Sequence, residues 1–292
     1  MNNMASIKAL EKKYYALLPY PAFEALLGLA IKKSREYIFA HPEYCLSLTE
    51  TLRFFYFRTK YNHGYSIATL RGTKEFFGLD FLVTKNTLVP RPDTEILVEA
   101  VIEKIKKTSK NILLIDVGTG TGCIPISILK KFPDEKIKTI ATDISLGSLK
   151  VAKKNAEFHN AVIHFLHGNL LAPLFGIHGN QITDGVIMIT ANLPYLTAAQ
   201  FRAETSIQRE PYHALVAEEH GLALYRELLE QLTEQFLPQH ANEVCLYFEI
   251  DPSQTNSILV LIKKYLPTAS TQVHKDLSGH ERLIAINLPT RS

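Results

Sequence analysis

The sequence predicts an α/β protein, a doubly wound and mostly parallel sheet preceded by a small helical domain. Three observations carry this. Short apolar runs such as Ile112–Ile115 and Gly185–Ile189 have the length and character of strands buried on both faces. They alternate with amphipathic segments of helical length. A glycine-rich turn, Asp116-Val-Gly-Thr-Gly-Thr-Gly122, joins the first such strand to the helix after it.

Residues 4–59 read as helices. Ala9, Leu10, Tyr14, Leu17 and Leu18 recur at helical spacing, as do Phe23, Leu26, Leu27 and Ala30. Pro19 and Pro21 separate the two patterns, and Pro42 and the stretch 61–64 punctuate again. From Glu75 to Val89 the character turns strand-like. Phe76, Phe77, Leu79, Phe81 and Val83 form one arm of an expected hairpin, Lys85-Asn86 its turn, and Leu88 and Val89 the return. The domains expected are 1–72 (helical), 73–90 (hairpin linker) and 91–292 (catalytic). In the last, Glu95–Lys107 reads as a helix capped by Asp93 or Thr94. Strands are expected at 112–117, 137–142, 162–166, 185–189 and 243–249. Helices are expected at 124–131, 146–158, 222–236 and 254–265, and Leu283–Asn287 reads as a closing edge strand.

The bulk composition is that of an ordinary globular protein, 46% hydrophobic and 21% charged over 292 residues. The three cysteines, Cys45, Cys123 and Cys245, lie far apart, which argues against a disulfide framework and fits a reducing cytoplasm. Met1 to Lys13 lacks the apolar stretch of a signal peptide, and no apolar run has the length to cross a bilayer. The expectation is a cytoplasmic protein without membrane contact. Residues 1–72 carry ten Lys or Arg against five Glu, so the first lobe is basic. That suits an acidic partner, nucleic acid, or simply a solvated helical surface. His159, His164, His167 and His178 are near neighbours but lack the spacing of a metal site, and none is expected.

The turn at Gly118, Thr119, Gly120 and Gly122 lets a ligand lie against bare backbone, with helix amides pointing at it. Its G-x-G-x-G spacing differs from the dinucleotide fingerprint. Asp143 ends the second strand, where an acid can accept from both ribose hydroxyls or can cap the following helix. Asp116, just before the loop, suits the amino group of a bound amino acid or the loop's own amides.

Ala191-Asn192-Leu193-Pro194-Tyr195 follows the strand ending at Ile189 and therefore falls beside the cofactor. The Asn192 oxygen can accept from one N–H of a planar NH2 group, and a neighbouring backbone carbonyl from the other. The Tyr195 ring can pack on the flat face of that group. Transfer of a methyl from a sulfonium needs orientation and water exclusion more than a strong base. Arg91 and Thr94 are ambiguous: Arg91 suits substrate, cofactor or an acid on the helical domain, and Thr94 a substrate contact or a helix cap.

On these residues the chain resembles the HemK/PrmC protein-(glutamine-N5) methyltransferases, which modify the glutamine of the Gly-Gly-Gln motif in peptide chain release factors at translation termination. Phe76-Phe-Gly-Leu-Asp-Phe81 and Arg91-Pro-Asp-Thr-Glu95 are similar to the family's hairpin and its R-P-[DE]-T-E signature. Gly221-Leu-Ala-Leu-Tyr-Arg226 is similar to G-L-x-x-Y, and Gly279-His-Glu-Arg282 to a terminal G-x-x-R. The resemblance implies a seven-stranded class I methyltransferase (Rossmann-like) sheet and S-adenosyl-L-methionine as cofactor, with S-adenosyl-L-homocysteine as product. It implies cofactor contacts from Asp116, Gly118, Thr119, Gly120, Gly122, Asp143, Asn169 and Asn192. Catalysis and substrate contact fall to Asn192, Leu193, Pro194 and Tyr195, with Arg91 and Thr94 also toward substrate, and the helical domain would grip the release factor. The sequence departs from the family pattern in three places. N-P-P-Y is here Asn192-Leu-Pro-Tyr195. G-D-L is Gly168-Asn-Leu170, an amide for a carboxylate near the adenine. The glycines after A-L are Val216-Ala-Glu-Glu219. N-L-P-Y is also similar to the loop of rRNA adenine dimethyltransferases. An adenine-N6 methyltransferase acting on nucleic acid, and a non-catalytic cofactor-binding protein, therefore stand as alternatives.

Overall fold

The structure, a computed structural model, describes residues 5–133, 137–175, 185–237 and 243–289. Two compact units are distinguished. One comprises Met1–Gly72 with Thr205–Arg209, the other Thr73–Glu204 with Glu210–Ser292. No described helix is long and apolar enough to cross a membrane.

The first unit is built from α1 (Ile7–Tyr14), α2 (Tyr20–Ile31), α3 (Arg35–Ala40), α4 (Leu48–Asn62) and α5 (Ile67–Arg71). Four of these open on serine: Ser6, Ser34, Ser47 and Ser66 each accept from the amide three residues on. Leu10, Tyr14, Phe23, Leu26, Leu27 and Phe54 fill its core. The short α5, bounded by Ser66 and by Gly72 in the left-handed conformation, lies past the helices expected from sequence.

The second unit opens with a hairpin, β1 (Thr73–Phe76) and β2 (Leu79–Leu82), whose turn is Phe77-Gly78. Both turn residues have positive φ, 53° and 76°, as a tight two-residue hairpin requires. This corrects the expectation of a turn at Lys85-Asn86 with a return strand at Leu88 and Val89. Two carboxylates hold the turn: Glu75 accepts from the Gly78 amide at 2.7 Å and Glu95 from the Phe77 amide at 2.9 Å. The hairpin is docked on the sheet domain, with Phe76 and Phe81 in its core.

One seven-stranded sheet follows, in the order β5-β4-β3-β6-β7-β9-β8. Its strands are β3 (Asn111–Val117), β4 (Ile137–Asp143), β5 (His164–His167), β6 (Gly185–Ala191), β7 (Glu243–Glu249), β8 (Ser270–Lys275) and β9 (Glu281–Leu288). The first five run parallel, and β9 is antiparallel to both β7 and β8. The edge strand is therefore β8 and not the 283–287 segment, which lies inside. Side chains alternate between faces: Leu114 and Met188 point toward α6 (Glu95–Lys106) and α7 (Cys123–Lys131). Ile115 and Ile189 point the other way, toward α11 (Ala223–Gln231) and α12 (Thr255–Tyr265). The remaining helices are α8 (Leu146–Phe158), α9 (Ala198–Ala203) and α10, the single turn Glu218–Gly221. The helix expected over 222–236 is α11 continued by a π-helical turn, Leu232–Phe236.

Candidate active site

Strand order reverses at β3: β4 and β5 lie to one side of it, β6 and β7 to the other. At such a switch point the connections leave in opposite directions and open a crevice at the carboxyl ends. The register pairs Val117 with Ala191, so the chain emerges side by side as Gly118 from β3 and Asn192 from β6. A cavity of about 550 Å³ sits there, lined by Gly118, Gly120, Asp143, Asn169, Asn192, Leu193 and Pro194 among others. That volume suits a cofactor-sized ligand.

Gly118, Gly120 and Gly122 all have positive φ, which only glycine adopts without strain. The Gly118 and Thr119 amides donate to the Thr142 carbonyl at 2.9 and 3.0 Å, and the Gly122 amide to Thr119. The Gly120 amide donates to Asp143 at 2.9 Å. These amides are thus spent on the protein, contrary to the expectation that they face a ligand. The loop offers bare Cα surface instead. The other oxygen of Asp143 accepts from the Ser145 amide at 2.8 Å. Each carboxylate oxygen keeps a second lone pair, so both can still accept a hydroxyl. Burial holds this carboxyl above its ordinary range against the pull of the two amide bonds. The cap of α8 is Ser145, not Asp143.

The Asn192 Nδ2 donates to Thr94 Oγ1 at 3.0 Å. Thr94 is buried and helical in backbone, makes no capping bond and does not line the cavity. Neither Asp93 nor Thr94 caps α6 through its side chain, because a 3-10 turn, Pro92–Thr94, leads directly into the helix. Leu193 is buried, and a Cβ built on Gly118 would meet its Cδ2 at 3.0 Å, so the leucine presses on the glycine loop.

Several expected residues lie away from the cavity wall. Asp116 is fully buried. One of its oxygens accepts from Thr190 Oγ1 at 2.6 Å, and the other has no partner among the described residues. Burial pushes its pKa up to about 7. No loop amide reaches it, so that expected role is absent. Thr119 and Gly122 are buried or structural and do not line the cavity, and neither does Tyr195. Arg91 pairs with Glu210 at 2.5 Å, an acid of the second unit and not of the helical one. Asn169 lines the cavity and donates through Nδ2 to Glu227 at 2.5 Å. Among the described residues no group of His, Cys, Asp or Glu has metal-site geometry; His178 lies outside them.

A family model for the methyltransferase small domain matches residues 92–188. A release factor glutamine methyltransferase of Enterococcus faecalis is 35% identical over 221 residues, covering 75% of this chain and 74% of that protein. One from Koribacter versatilis is 34% identical over 277 residues, covering 93% and 92%. The chain belongs to the release factor glutamine methyltransferase family. Among solved structures, the catalytic domain of hMettl16 in complex with MAT2A 3'UTR hairpin 1 superposes with a TM-score of 0.53 at 16% identity, covering 75% of this chain and 77% of that one. At that identity the likeness speaks for the fold alone, the class I methyltransferase sheet.

In this member of the release factor glutamine methyltransferase family, four supporting residues have a role that the sequence alone does not assign. Tyr225 is fully buried. Its hydroxyl accepts from the Leu193 amide at 3.4 Å and donates to the Glu249 carbonyl. Gln254 donates to the carbonyls of Tyr195 at 2.9 Å and His220 at 2.8 Å, tying the Asn192–Tyr195 loop to α10. Gly221 (φ 84°) lies where a Cβ would overlap the Tyr195 carbonyl. Glu210 accepts from the Val89 amide at 3.0 Å as well as from Arg91. Tyr225 and Gly221 carried a signal in the G-L-x-x-Y resemblance. Gln254 and Glu210 carried none, because their partners are distant in sequence.

Proposed function

We propose that the chain transfers a methyl group from S-adenosyl-L-methionine to the side-chain amide nitrogen of a glutamine in a peptide chain release factor, leaving S-adenosyl-L-homocysteine and releasing one amide proton to solvent. The observation carrying this reading is that Asn192 emerges beside Gly118 on a common cavity, with its Nδ2 committed inward to Thr94. The cavity volume, the bare glycine surface and the spare lone pairs of Asp143 fit the cofactor. Bound there, S-adenosylmethionine supplies a methyl group made electrophilic by its sulfonium. Asp143 would accept from the ribose hydroxyls, and Asn169 and Leu170 would line the base side. Asn192 Oδ1 would accept from one substrate N–H and the Leu193 carbonyl from the other, aiming the nitrogen lone pair. Leu193 and Pro194 would exclude water. Asp116, Thr119, Gly122 and Thr94 support the site from behind, Arg91 fixes the segment before α6, and Tyr195 flanks it.

The first unit would contribute to gripping the release factor, and such a protein works in the cytoplasm. The test is transfer of radiolabelled methyl to purified release factor, with a variant lacking the Gly-Gly-Gln glutamine and an RNA as parallel arms. Label in the intact release factor alone is expected. Label in the RNA alone would replace this reading with the adenine one.

A further inference from the structure

Behind Asn192 lies a carboxylate that the transfer as described does not use. Glu249 closes β7, one strand over from the strand that delivers Asn192. It is 1% exposed, and its Oε2 has no partner among the described residues. A buried carboxylate with an idle oxygen is costly, so an unused one calls for an explanation. It is absent from the cavity wall, hence not a substrate contact. Ala191 pairs with Phe248, so Asn192 emerges beside Glu249. Thr94 and Asn192 both lower the pKa of its carboxyl, and Thr94 Oγ1 accepts from Asn192 Nδ2 at 3.0 Å.

We propose that Glu249 is a positioning residue for methyl transfer: with Thr94 it fixes which way the Asn192 carboxamide faces. A carboxylate only accepts. It draws the Thr94 hydroxyl proton toward itself, which leaves the threonine lone pairs to take the Asn192 NH2. The reversed carboxamide would set Oδ1 against the threonine lone pairs and offer NH2 to the cavity, where a substrate amide also presents donors. One orientation is therefore bound to the charge on Glu249, and it is the orientation that leaves Oδ1 for the substrate. This deepens the proposed function and rests on it, because the value of the orientation lies in accepting from an amide.

The charge is conditional. Burial, the largest influence, and the nearby Asp93 raise the Glu249 carboxyl to about 7; Thr94, Arg282 and Asn192 act the other way. The Tyr225 hydroxyl meets its backbone carbonyl, and Tyr195 and Cys123 feel its charge. Protonation would let Glu249 donate, removing the bias. Activity needing the carboxylate should therefore rise with pH through this range.

The experiment compares the full chain with Glu249→Gln, Thr94→Val and Thr94→Ser. For Glu249→Gln, kcat on release factor should fall at least ~10-fold, the scale of a mis-aimed contact. Its cofactor affinity should stay within about twofold, as the residue is off the cavity wall. The acid limb of the kcat profile should be lost. Thr94→Val should behave likewise, and Thr94→Ser, which keeps the hydroxyl, should recover most of the rate. Independently of turnover, the 15N side-chain amide resonance of Asn192, assigned by its loss in Asn192→Ser, should titrate with pH in the parent and not in Glu249→Gln. If the parent proves inert while that resonance titrates as described, the substrate assignment fails and the orientation stands. A flat Asn192 resonance in the parent overturns the proposal. So does full activity in Thr94→Val, a readout that survives if Glu249→Gln does not fold.

Discussion

The amide of Leu193 donates to the hydroxyl of Tyr225 at 3.4 Å. Where the family resemblance expects proline, this chain has a residue with a backbone N–H, and Leu193 is 3% exposed. An N–H so buried must be satisfied, and α11 supplies the acceptor. The hydroxyl can take it because its own proton goes to the Glu249 carbonyl.

Leu193→Pro should therefore be tolerated. It removes a donor and its modest bond together, leaving Tyr225 still donating. We expect kcat to change by less than about tenfold, roughly 1.4 kcal/mol. Tyr225→Phe should cost ~1–3 kcal/mol in urea unfolding, because the Leu193 amide and Glu249 carbonyl lose their partner. In the double variant part of that cost should return. Simple additivity would mean that the two groups do not act on each other.

Asn192→Ala should lower kcat by about 10²-fold, the scale of one preorganised polar contact. Cofactor affinity, read by calorimetry, should hardly move. A kcat within twofold of the parent would remove Asn192 from the chemistry.

Asp143→Ala should weaken cofactor binding, each charge-assisted hydroxyl bond being worth ~1.5–3 kcal/mol. It also releases the Gly120 and Ser145 amides. The control is Asp143→Asn, which retains one acceptor oxygen and should fall between. Equal affinity in parent and alanine variant, both folded, would be incompatible with ribose recognition here.

Asp116 makes a pH prediction. Its carboxyl is raised by burial from 3.8 to about 7. The folded chain then holds this proton more tightly than the unfolded one. The resulting stability is fully present below about pH 4 and is lost as pH rises to about 7. Asp116→Asn stays neutral and should gain on the parent across that window, then run parallel to it above. Denaturant midpoints at pH 5, 6, 7 and 8 read this directly, and a constant difference would contradict it.

Gly221→Ala should be severe, since the new Cβ would stand 1.9 Å from the Tyr195 carbonyl at a φ of 84°. Overpacking and backbone strain together suggest ~2–4 kcal/mol. Gln254→Ala should be milder in stability yet lower kcat, because it frees the same carbonyl without displacing it. A Gly221→Ala protein as stable as the parent would mean that the loop moves aside at little cost.

Much of this architecture was readable because burial on both faces writes an apolar run, as at Gly185–Ala191. The Asp116–Gly122 loop was readable because positive φ selects glycine. The hairpin was misread because Phe77 is an unusual residue at φ 53°, held there by Glu95 from a later helix. Strand β8 was missed because Ser270–Lys275 is mostly exposed and polar and carries no pattern. Within the site, Asn192 and Asp143 were visible as local motifs. Their pairings with Thr94 and with the Gly120 amide were not, because hydrogen bonds between distant segments leave no spacing to read. Arg91 was visible but its partner Glu210 was not.

The segment Thr205–Arg209 belongs with the first unit, where the Arg209 Nε donates to the His63 carbonyl at 2.8 Å and its guanidinium lies over Tyr65. The chain consequently passes from one unit to the other three times, after Gly72, Glu204 and Arg209. A protease that nicks the backbone after Gly72 would leave two pieces still interlaced, and a fragment begun at Thr73 would carry 205–209 stripped of its neighbours. Co-expressed as separate polypeptides, residues 1–72 and 73–292 should therefore copurify.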